Sequence, residues 1–461
     1  MKILVCSSEV FPYAKIGGLA DVAGALPLAL ERQGFDVSIA LPRYKCVDES
    51  KFKLKKISDT VSYAALGKGI KVYFIVNDAY FNREGLYGDK FGDHKDNLDR
   101  FSFYCRETLN LIKETDFKPD IIHCNDWQTG LIPVYLKSNL KNDVFYKDIR
   151  TVLTIHNLAY QGIFAKEEFT KLSLDESLFG AEGLEFYDKI NLLKGGIVFS
   201  DVVNTVSSTY AKEILTEEFG CGLNGSLSAK KENIFGILNG LDYEIWDPEK
   251  DKFIFKNYSL KTIEDKYINK RKFQEELGLE TSKQPLFGMV SRLAQQKGLD
   301  LIDEGIEEIC KNSAQVVILG TGEKRYHEML ENIAKKYPNK ISVHLKFDES
   351  LAHKIYAASD VFLMPSHYEP CGLGQMISFK YGTLPLAFKT GGLADTVSSD
   401  NGFIFDIYNK DMFLDAFHKA VSLYEDKCKW SNLVKRALGY NFSWDESARK
   451  YTDLYKKCLS R

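Results

Sequence analysis

Lys15-Ile-Gly-Gly-Leu-Ala-Asp21-Val22 recurs almost letter for letter as Lys389-Thr-Gly-Gly-Leu-Ala-Asp395-Thr-Val397, and this echo decides how the fold is read. Each copy follows an apolar run and precedes a helical stretch, the strand–loop–helix order of a nucleotide-binding half. In that setting a Gly-Gly step lets the backbone approach a ligand closely, and the helix start offers N–H groups to an anion. Read singly, each copy is equally well a tight turn that needs glycine for a positive φ. Two copies far apart in the chain favour two nucleotide-fold halves facing each other across a cleft.

Elsewhere in the chain short apolar runs alternate with amphipathic stretches, as in β-α units around parallel sheets. The first series of expected strands is Lys2–Cys6, Val37–Leu41, Val72–Ile75, Ile121–Cys124, Thr151–Ile155 and Val202–Thr205. A second series is Leu286–Val290, Val316–Leu319, Ser342–Leu345, Val361–Met364 and Leu384–Phe388. Between them, about 240–284 carries Asp247-Pro248, a dense charge run and no clear strand. It reads as a connector followed by the helix that opens a second domain. The tail begins Phe442-Ser-Trp-Asp-Glu446, where Ser443 and Glu446 have capping-box spacing. Trp444, Ala448, Tyr451 and Tyr455 then share one helical face, which predicts a last helix packed on the body. The expected division is 1–240 with 443–461 as an N-terminal Rossmann-like domain, and 241–442 as a C-terminal one.

Composition narrows the function classes. The 461 residues are 44% hydrophobic, ample for more than one packed core. Lys+Arg 61 against Asp+Glu 64 leaves a net charge of −3, so nothing global points to nucleic acid or an anionic membrane. No apolar run approaches the roughly 18 residues of a membrane span. The opening Met-Lys-Ile-Leu-Val-Cys has too brief an apolar stretch for a signal peptide and reads as a strand. The nine cysteines are scattered with no Cys-x-x-Cys, which supports neither a zinc ribbon nor a disulfide framework and fits a reducing cytoplasm.

Four loops carry candidate chemistry. In Gly288-Met-Val-Ser-Arg292-Leu-Ala-Gln-Gln-Lys297-Gly298, two cations five residues apart suit a diphosphate, Arg292 as a fork and Lys297 as a point charge. The same pattern also describes a solvated basic loop. Pro365-Ser-His-Tyr-Glu369-Pro-Cys-Gly-Leu-Gly-Gln375 follows a predicted strand, so Glu369 leaves the strand end where open α/β sheets bind ligands. The Gly372, Leu373 and Gly374 amides would then stand at a helix start. The plainer alternative is a surface glutamate in a Pro/Gly turn. His156, after Thr151–Ile155, is a donor to substrate or a structural histidine. Asp126, after Ile121–Cys124, bonds sugar hydroxyls or caps the next helix. No P-loop, strand-borne Gly-x-Gly-x-x-Gly, Gly-x-Ser-x-Gly, His-Glu-x-x-His or Asp-x-Asp occurs.

These motifs together resemble the bacterial glycogen synthases and plant starch synthases, GT-B glycosyltransferases, over essentially the whole chain. The resemblance rests on Lys15-x-Gly-Gly-Leu-Ala-Asp, His156-Asn-Leu-Ala-Tyr-Gln-Gly, Ser291-Arg-Leu-x-x-Gln-Lys-Gly, Glu369-Pro-Cys-Gly-Leu, and Tyr381-Gly-Thr-Leu-Pro leading to Thr390-Gly-Gly-Leu-Ala-Asp. It implies transfer of glucose from ADP-glucose to the non-reducing end of an α-1,4-glucan, with retention and with no metal or other cofactor. By the same resemblance Lys15, Gly17 and Gly18 approach the donor diphosphate, while Arg292 and Lys297 neutralise the departing ADP. Glu369 binds the donor glucose, and His156 and Asp126 line the sugar pocket. Asn239, Gly391 and Gly392 complete the substrate contacts. Four positions depart from the family pattern: Ile16 for Thr, His94 for Tyr, Gln128 for His, and Gly374 for a larger residue, often Thr. Two other readings stay open on the residues alone: another retaining transfer such as UDP-glucose to a small sugar, and nucleotide-sugar binding without turnover.

Overall fold

In the computed structural model, which describes residues 1–312 and 314–461, the chain forms two compact units. One comprises Met1–Gly240 with Trp444–Arg461, the other Leu241–Ser443.

The first unit is built on a nine-stranded sheet. Its strands in chain order are β1 Lys2–Cys6, β2 Asp36–Pro42, β3 Lys55–Lys56, β4 Val61–Leu66, β5 Ile70–Ile75, β6 Ile121–Asn125, β7 Arg150–Ile155, β8 Val202–Thr205 and β9 Ile234–Gly236. Their spatial order is β9-β8-β7-β6-β1-β2-β5-β4-β3. The central strands are parallel and read as near-continuous apolar runs because helices cover both faces: Ile3, Leu4, Val5 and Cys6 of β1 are all buried. β3 and β4 add an antiparallel edge. The apolar pattern of the sequence does not reveal β3, β4 or β9. β3 is two exposed lysines, β4 alternates weakly, and β9 is only half buried, so none presents the apolar block that marks a central strand.

The helix Trp444–Leu459 belongs to this unit. Its Trp444, Ala448, Tyr451 and Tyr455 enter the same core, as their shared helical face predicts. Tyr455 Oη lies 2.8 Å from His123 Nδ1 on β6, and Asn204 on β8 donates to Tyr451 Oη at 3.2 Å. Ser443 stays with the second unit through its bridge to Leu241.

The second unit carries a six-stranded, all-parallel sheet: β10 Leu286–Val290, β11 Gln315–Leu319, β12 Ile341–His344, β13 Val361–Met364, β14 Leu384–Phe388 and β15 Phe403–Phe405, in the order β12-β11-β10-β13-β14-β15. The connector is not a loose linker. Trp246 stacks on His353 at 4.0 Å, and the Asp251 carboxylate accepts hydrogen bonds from His353 Nδ1 at 2.7 Å and Tyr381 Oη at 2.5 Å. The helix expected after it runs Lys266–Glu276. No helix among the described residues is long and apolar enough to cross a membrane.

In both sheets the chain builds outward on one side of its first strand and then crosses to the other. The switch points lie between β1 and β6 in the first unit and between β10 and β13 in the second. At such a point two loops diverge above adjacent parallel strand ends, which leaves a crevice for a ligand.

Candidate active site

Above the switch point of the second unit, the loops after β10 and β13 are bonded to each other. Lys297 Nζ donates to Glu369 Oε2 at 2.6 Å, and Ser366 Oγ donates to the same oxygen at 3.1 Å. The loop backbones are stitched as well: His367 N donates to Gln296 O, and Gln296 Nε2 donates to Tyr368 O, both at 2.9 Å. Gly298 takes φ +72°, and a Cβ there would stand 2.0 Å from the Pro365 carbonyl, so only glycine permits this approach. Arg292, by contrast, is exposed, with no side-chain hydrogen bond or ion pair found among the described residues. The two cations of the basic loop are thus held differently, one locked on a carboxylate and one reaching outward.

Gly391 and Gly392 lie beneath this site as structure. Gly391 has φ +44°. Added Cβ atoms at 391 and 392 would come within 2.0 Å of the Glu369 and Cys371 carbonyls, and the Gly392 amide donates to Glu369 O at 3.0 Å. They set the height of the Glu369 loop. Gly372, at φ +73°, turns the chain into the helix Gly374–Lys380, whose start at Leu373 and Gly374 follows directly. Gly374, a departure from the family pattern, has its missing side chain replaced from within: a Cβ there would meet Phe362 at 2.8 Å and Met364 Sδ at 3.2 Å.

In the first unit, Asp126 and His156 follow the adjacent strands β6 and β7. Asp126 holds φ +55°, ψ −172°, a conformation uncommon outside glycine and stored where surrounding bonds over-determine it. Its amide donates to Thr154 O at 2.9 Å, and its Oδ1 accepts the His156 amide at 2.7 Å. Burial pushes the Asp126 carboxyl up to about 7 despite that hydrogen bond, and the Glu9 charge adds to the rise. Burial also drives the His156 imidazole down to about 3, so it is neutral at pH 7. Its Nε2 lies 2.9 Å from Asn125 Oδ1. Neutral histidine beside a half-protonated aspartate suits hydrogen bonding to uncharged hydroxyls.

Lys15 pairs with Asp21 at 2.7 Å, both partly exposed. Gly17 and Gly18 precede and open the helix Gly18–Arg32, and a Cβ on either would meet no atom within 4 Å. The two Gly-Gly copies are therefore alike in letters and opposite in surroundings, one facing open space and one pressed on backbone. Asn239, near the end of this unit's first segment, is buried with Oδ1 unpartnered among the described residues. Of the other departures, Ile16 is exposed and bonds through its amide alone. His94 Nε2 lies 3.1 Å from Glu84 O. Gln128 is buried, and its carbonyl accepts from Cys105 Sγ at 3.3 Å.

Sequence reasoning missed Glu9, whose buried carboxylate accepts from Ile16 N, Gly17 N and Tyr87 Oη at 2.6, 2.8 and 2.7 Å. Phe347, to which the sequence motifs give no role, is 89% exposed just past the C-terminal end of β12. Glu9 lies six residues upstream of the Lys15 motif in an irregular loop, so no periodic signal marks it. Among the described residues no group of three or more His, Cys, Asp or Glu is arranged to hold a metal ion.

With this geometry in view, residues 2–229 match the family model described as starch synthase catalytic domain, and residues 270–436 match glycosyl transferases group 1. The chain is 47% identical to a glycogen synthase of Geotalea daltonii and 45% identical to one of Thermotoga maritima, in each case over 100% of this chain and 99% of the relative. Among solved structures it resembles the catalytic domain of starch synthase IV from Arabidopsis thaliana bound to ADP and acarbose. That match has a TM-score of 0.89 and 35% identity, covering 100% of this chain and 99% of that one. A sucrose-phosphate synthase from Thermosynechococcus elongatus, at 15% identity and TM-score 0.63, shares the fold.

Proposed function

The chain belongs to the glycogen synthase and starch synthase family of GT-B glycosyltransferases, and from that premise we propose that it transfers glucose from ADP-glucose to the non-reducing end of an α-1,4-glucan with retention of configuration. The observation that carries the residue-level reading is the Lys297–Glu369 contact at 2.6 Å above the switch point of the second sheet, where a nucleotide-sugar is expected.

Breaking the bond between glucose and diphosphate builds positive charge on the ring and negative charge on the leaving oxygens. In the proposed mechanism Arg292, exposed, and Lys297, preset by Glu369, take the leaving charge. Stabilisers of that kind are worth about 2.7–4 kcal/mol each when lost. Glu369 keeps one oxygen on Lys297 and turns the other to the glucose hydroxyls. The exposed ring of Phe347 suits stacking on adenine. Lys15 with Gly17 and Gly18, and the neutral His156 with Asp126, serve the phosphates and the sugar respectively. Asn239 adds a buried polar group to the sugar side. The amides of Gly372, Leu373 and Gly374 at their helix start face the donor phosphates.

For retention we favour attack from the same face as departure, with a phosphate oxygen taking the acceptor's proton. Lys297 and Ser366 both donate to Glu369 Oε2 and draw charge from the carboxylate, which argues against its service as a nucleophile. We assign the reaction no metal and no other cofactor, the cations above doing the charge work, and we place the enzyme in the cytoplasm.

The test offers labelled ADP-glucose or UDP-glucose with glycogen or a disaccharide. Incorporation into glycogen from ADP-glucose supports the proposal. Transfer from UDP-glucose to the small sugar, or nucleotide binding without incorporation from either donor, overturns it. A glycosyl adduct trapped on Glu369 would overturn same-face attack.

A further inference from the structure

The Lys15–Gly18 loop is held from one side by a single buried carboxylate. Glu9 is only 4% exposed. Its Oε2 accepts two consecutive amides, Ile16 N at 2.6 Å and Gly17 N at 2.8 Å, while Oε1 accepts Tyr87 Oη at 2.7 Å. Tyr87 Oη in turn lies 2.8 Å from Ser8 Oγ, and the Glu9 backbone is fixed by Ser7 Oγ, which donates to Glu9 O at 2.7 Å. Away from Glu9 the two glycines face open space, since Cβ atoms added at Gly17 and Gly18 would meet no atom within 4 Å.

A buried carboxylate is costly unless donors meet it, and here three do, through charge-assisted bonds stronger than a neutral acceptor would make. Two amides on one oxygen fix the orientation of both peptide planes. The next residues, Gly18 and Leu19, open the helix Gly18–Arg32, and their amides have no acceptor among the described residues. The Lys15 head is separately restrained by Asp21 at 2.7 Å. The loop is therefore hydrogen-bonded to Glu9 on its inner side, while its two glycines are open on the outer side.

We propose that Glu9 is a positioning residue of the transfer reaction, clamping the Lys15–Gly18 loop so that Lys15 and the free amides of the helix start meet the donor's phosphates in a fixed geometry. This rests on the function proposed above. Glu9 itself touches no substrate; it acts through Lys15 and the glycine backbone.

The experiment uses the full chain with ADP-glucose and glycogen, comparing wild type with Glu9→Ala, Glu9→Gln, Lys15→Ala and the Glu9→Ala/Lys15→Ala pair. Glu9→Ala is expected to lower kcat/KM at least about tenfold, a misplacement effect. Glu9→Gln, which keeps an oxygen for both amides, should stay within about threefold of wild type. Because Glu9 acts in part through Lys15, the double variant should lose less than the product of the two single losses. Wild-type activity in Glu9→Ala, a loss in Glu9→Gln as deep as in alanine, or fully multiplicative losses would each overturn the proposal. Hydrogen exchange of a peptide covering Val10–Leu19 gives a readout independent of turnover, with faster exchange expected in Glu9→Ala and unchanged exchange counting against the clamp. If wild type transfers no glucose, the function reading fails while the exchange measurement still decides the clamp.

Discussion

Lys297 Nζ lies 2.6 Å from Glu369 Oε2, the two side chains only 16% and 9% exposed, so each neutralises the other within the second unit. The pair ties the loop after β10 to the loop after β13 and gives each charge a fixed place. Removing one partner strands the other in a poorly hydrated site, which costs far more than the pair contributes as a whole. Stability and catalysis can therefore be separated here.

Lys297→Met should lower kcat about 10²–10³-fold, as loss of one preorganised stabiliser does, and destabilise the second unit by about 2 kcal/mol through the unpaired Glu369. Adding Glu369→Gln should restore much of that stability, since Ser366 still bonds the side chain, without restoring turnover. Melting curves and kcat on the same three proteins check this. A single variant with normal kcat would remove Lys297 from the reaction, and a double variant no more stable than the single would remove the charge argument.

Asp126 predicts an unusual pH dependence. Its carboxyl is raised from an ordinary 3.8 to about 7, so the folded protein holds a proton that the unfolded chain releases. That contribution to stability is complete below about pH 4 and is lost as pH rises through about 7. His156, lowered from 6.5 to about 3, acts in the opposite sense: its contribution is present above 6.5 and is lost as pH falls toward 3. Asp126→Asn keeps a side chain tolerant of φ +55° and carries no titration. Stability measured from pH 5 to 8 should fall less steeply in this variant than in wild type, while transfer is lost. Parallel stability profiles would contradict the raised carboxyl.

What was legible in the sequence followed physical regularity. β1, β8, β10, β13 and β14 match their expected ranges because buried parallel strands appear as apolar blocks, and the face of the last helix follows from its 3.6-residue period. Edge strands such as β3 and β4 escaped because one side of each is wet. The candidate loops were found by charged and glycine residues at fixed spacing. Glu9 and the Asp251–His353–Tyr381 cluster were not, because their partners lie 7 to 130 residues away along the chain and only folding brings them together. Motif letters also concealed a difference in physics: the two Gly-Gly copies read alike, yet one is packed and one is bare.

The Asp251 cluster makes a prediction about the connector. Burial acts to raise this carboxyl, but hydrogen bonds from His353 and Tyr381 outweigh it and hold it below the ordinary 3.8. Its contribution to stability is therefore present above about pH 4 and is lost as pH falls further. Both Asp251 and His353 side chains are 1% exposed, so Asp251→Ala leaves a buried imidazole and phenol without their acceptor. A loss of about 3 kcal/mol at pH 7 is expected, read as a lowered denaturant midpoint of the second unit. An unchanged midpoint would show that Trp246 stacking alone docks the connector.

The two Gly-Gly copies should respond in opposite ways to the same alanine substitution. At Gly391 the backbone holds φ +44°, and a Cβ would stand 2.0 Å from the Glu369 carbonyl. Gly391→Ala must shift the Glu369 loop and strain the chain, a cost of order 1–3 kcal/mol, so stability and activity should fall together. At Gly17 the backbone is extended, φ −134° and ψ −169°, which any residue adopts, and a Cβ meets nothing within 4 Å. Gly17→Ala should therefore leave the melting temperature within about 1 °C of wild type, as a surface change without a structural cost does. Its methyl projects into the open side of the loop, where the donor's phosphates are proposed to approach. KM for ADP-glucose should then rise several-fold with the fold intact. A Gly17→Ala enzyme with unchanged KM would mean that the open side of this loop is solvent surface and that the donor is held elsewhere.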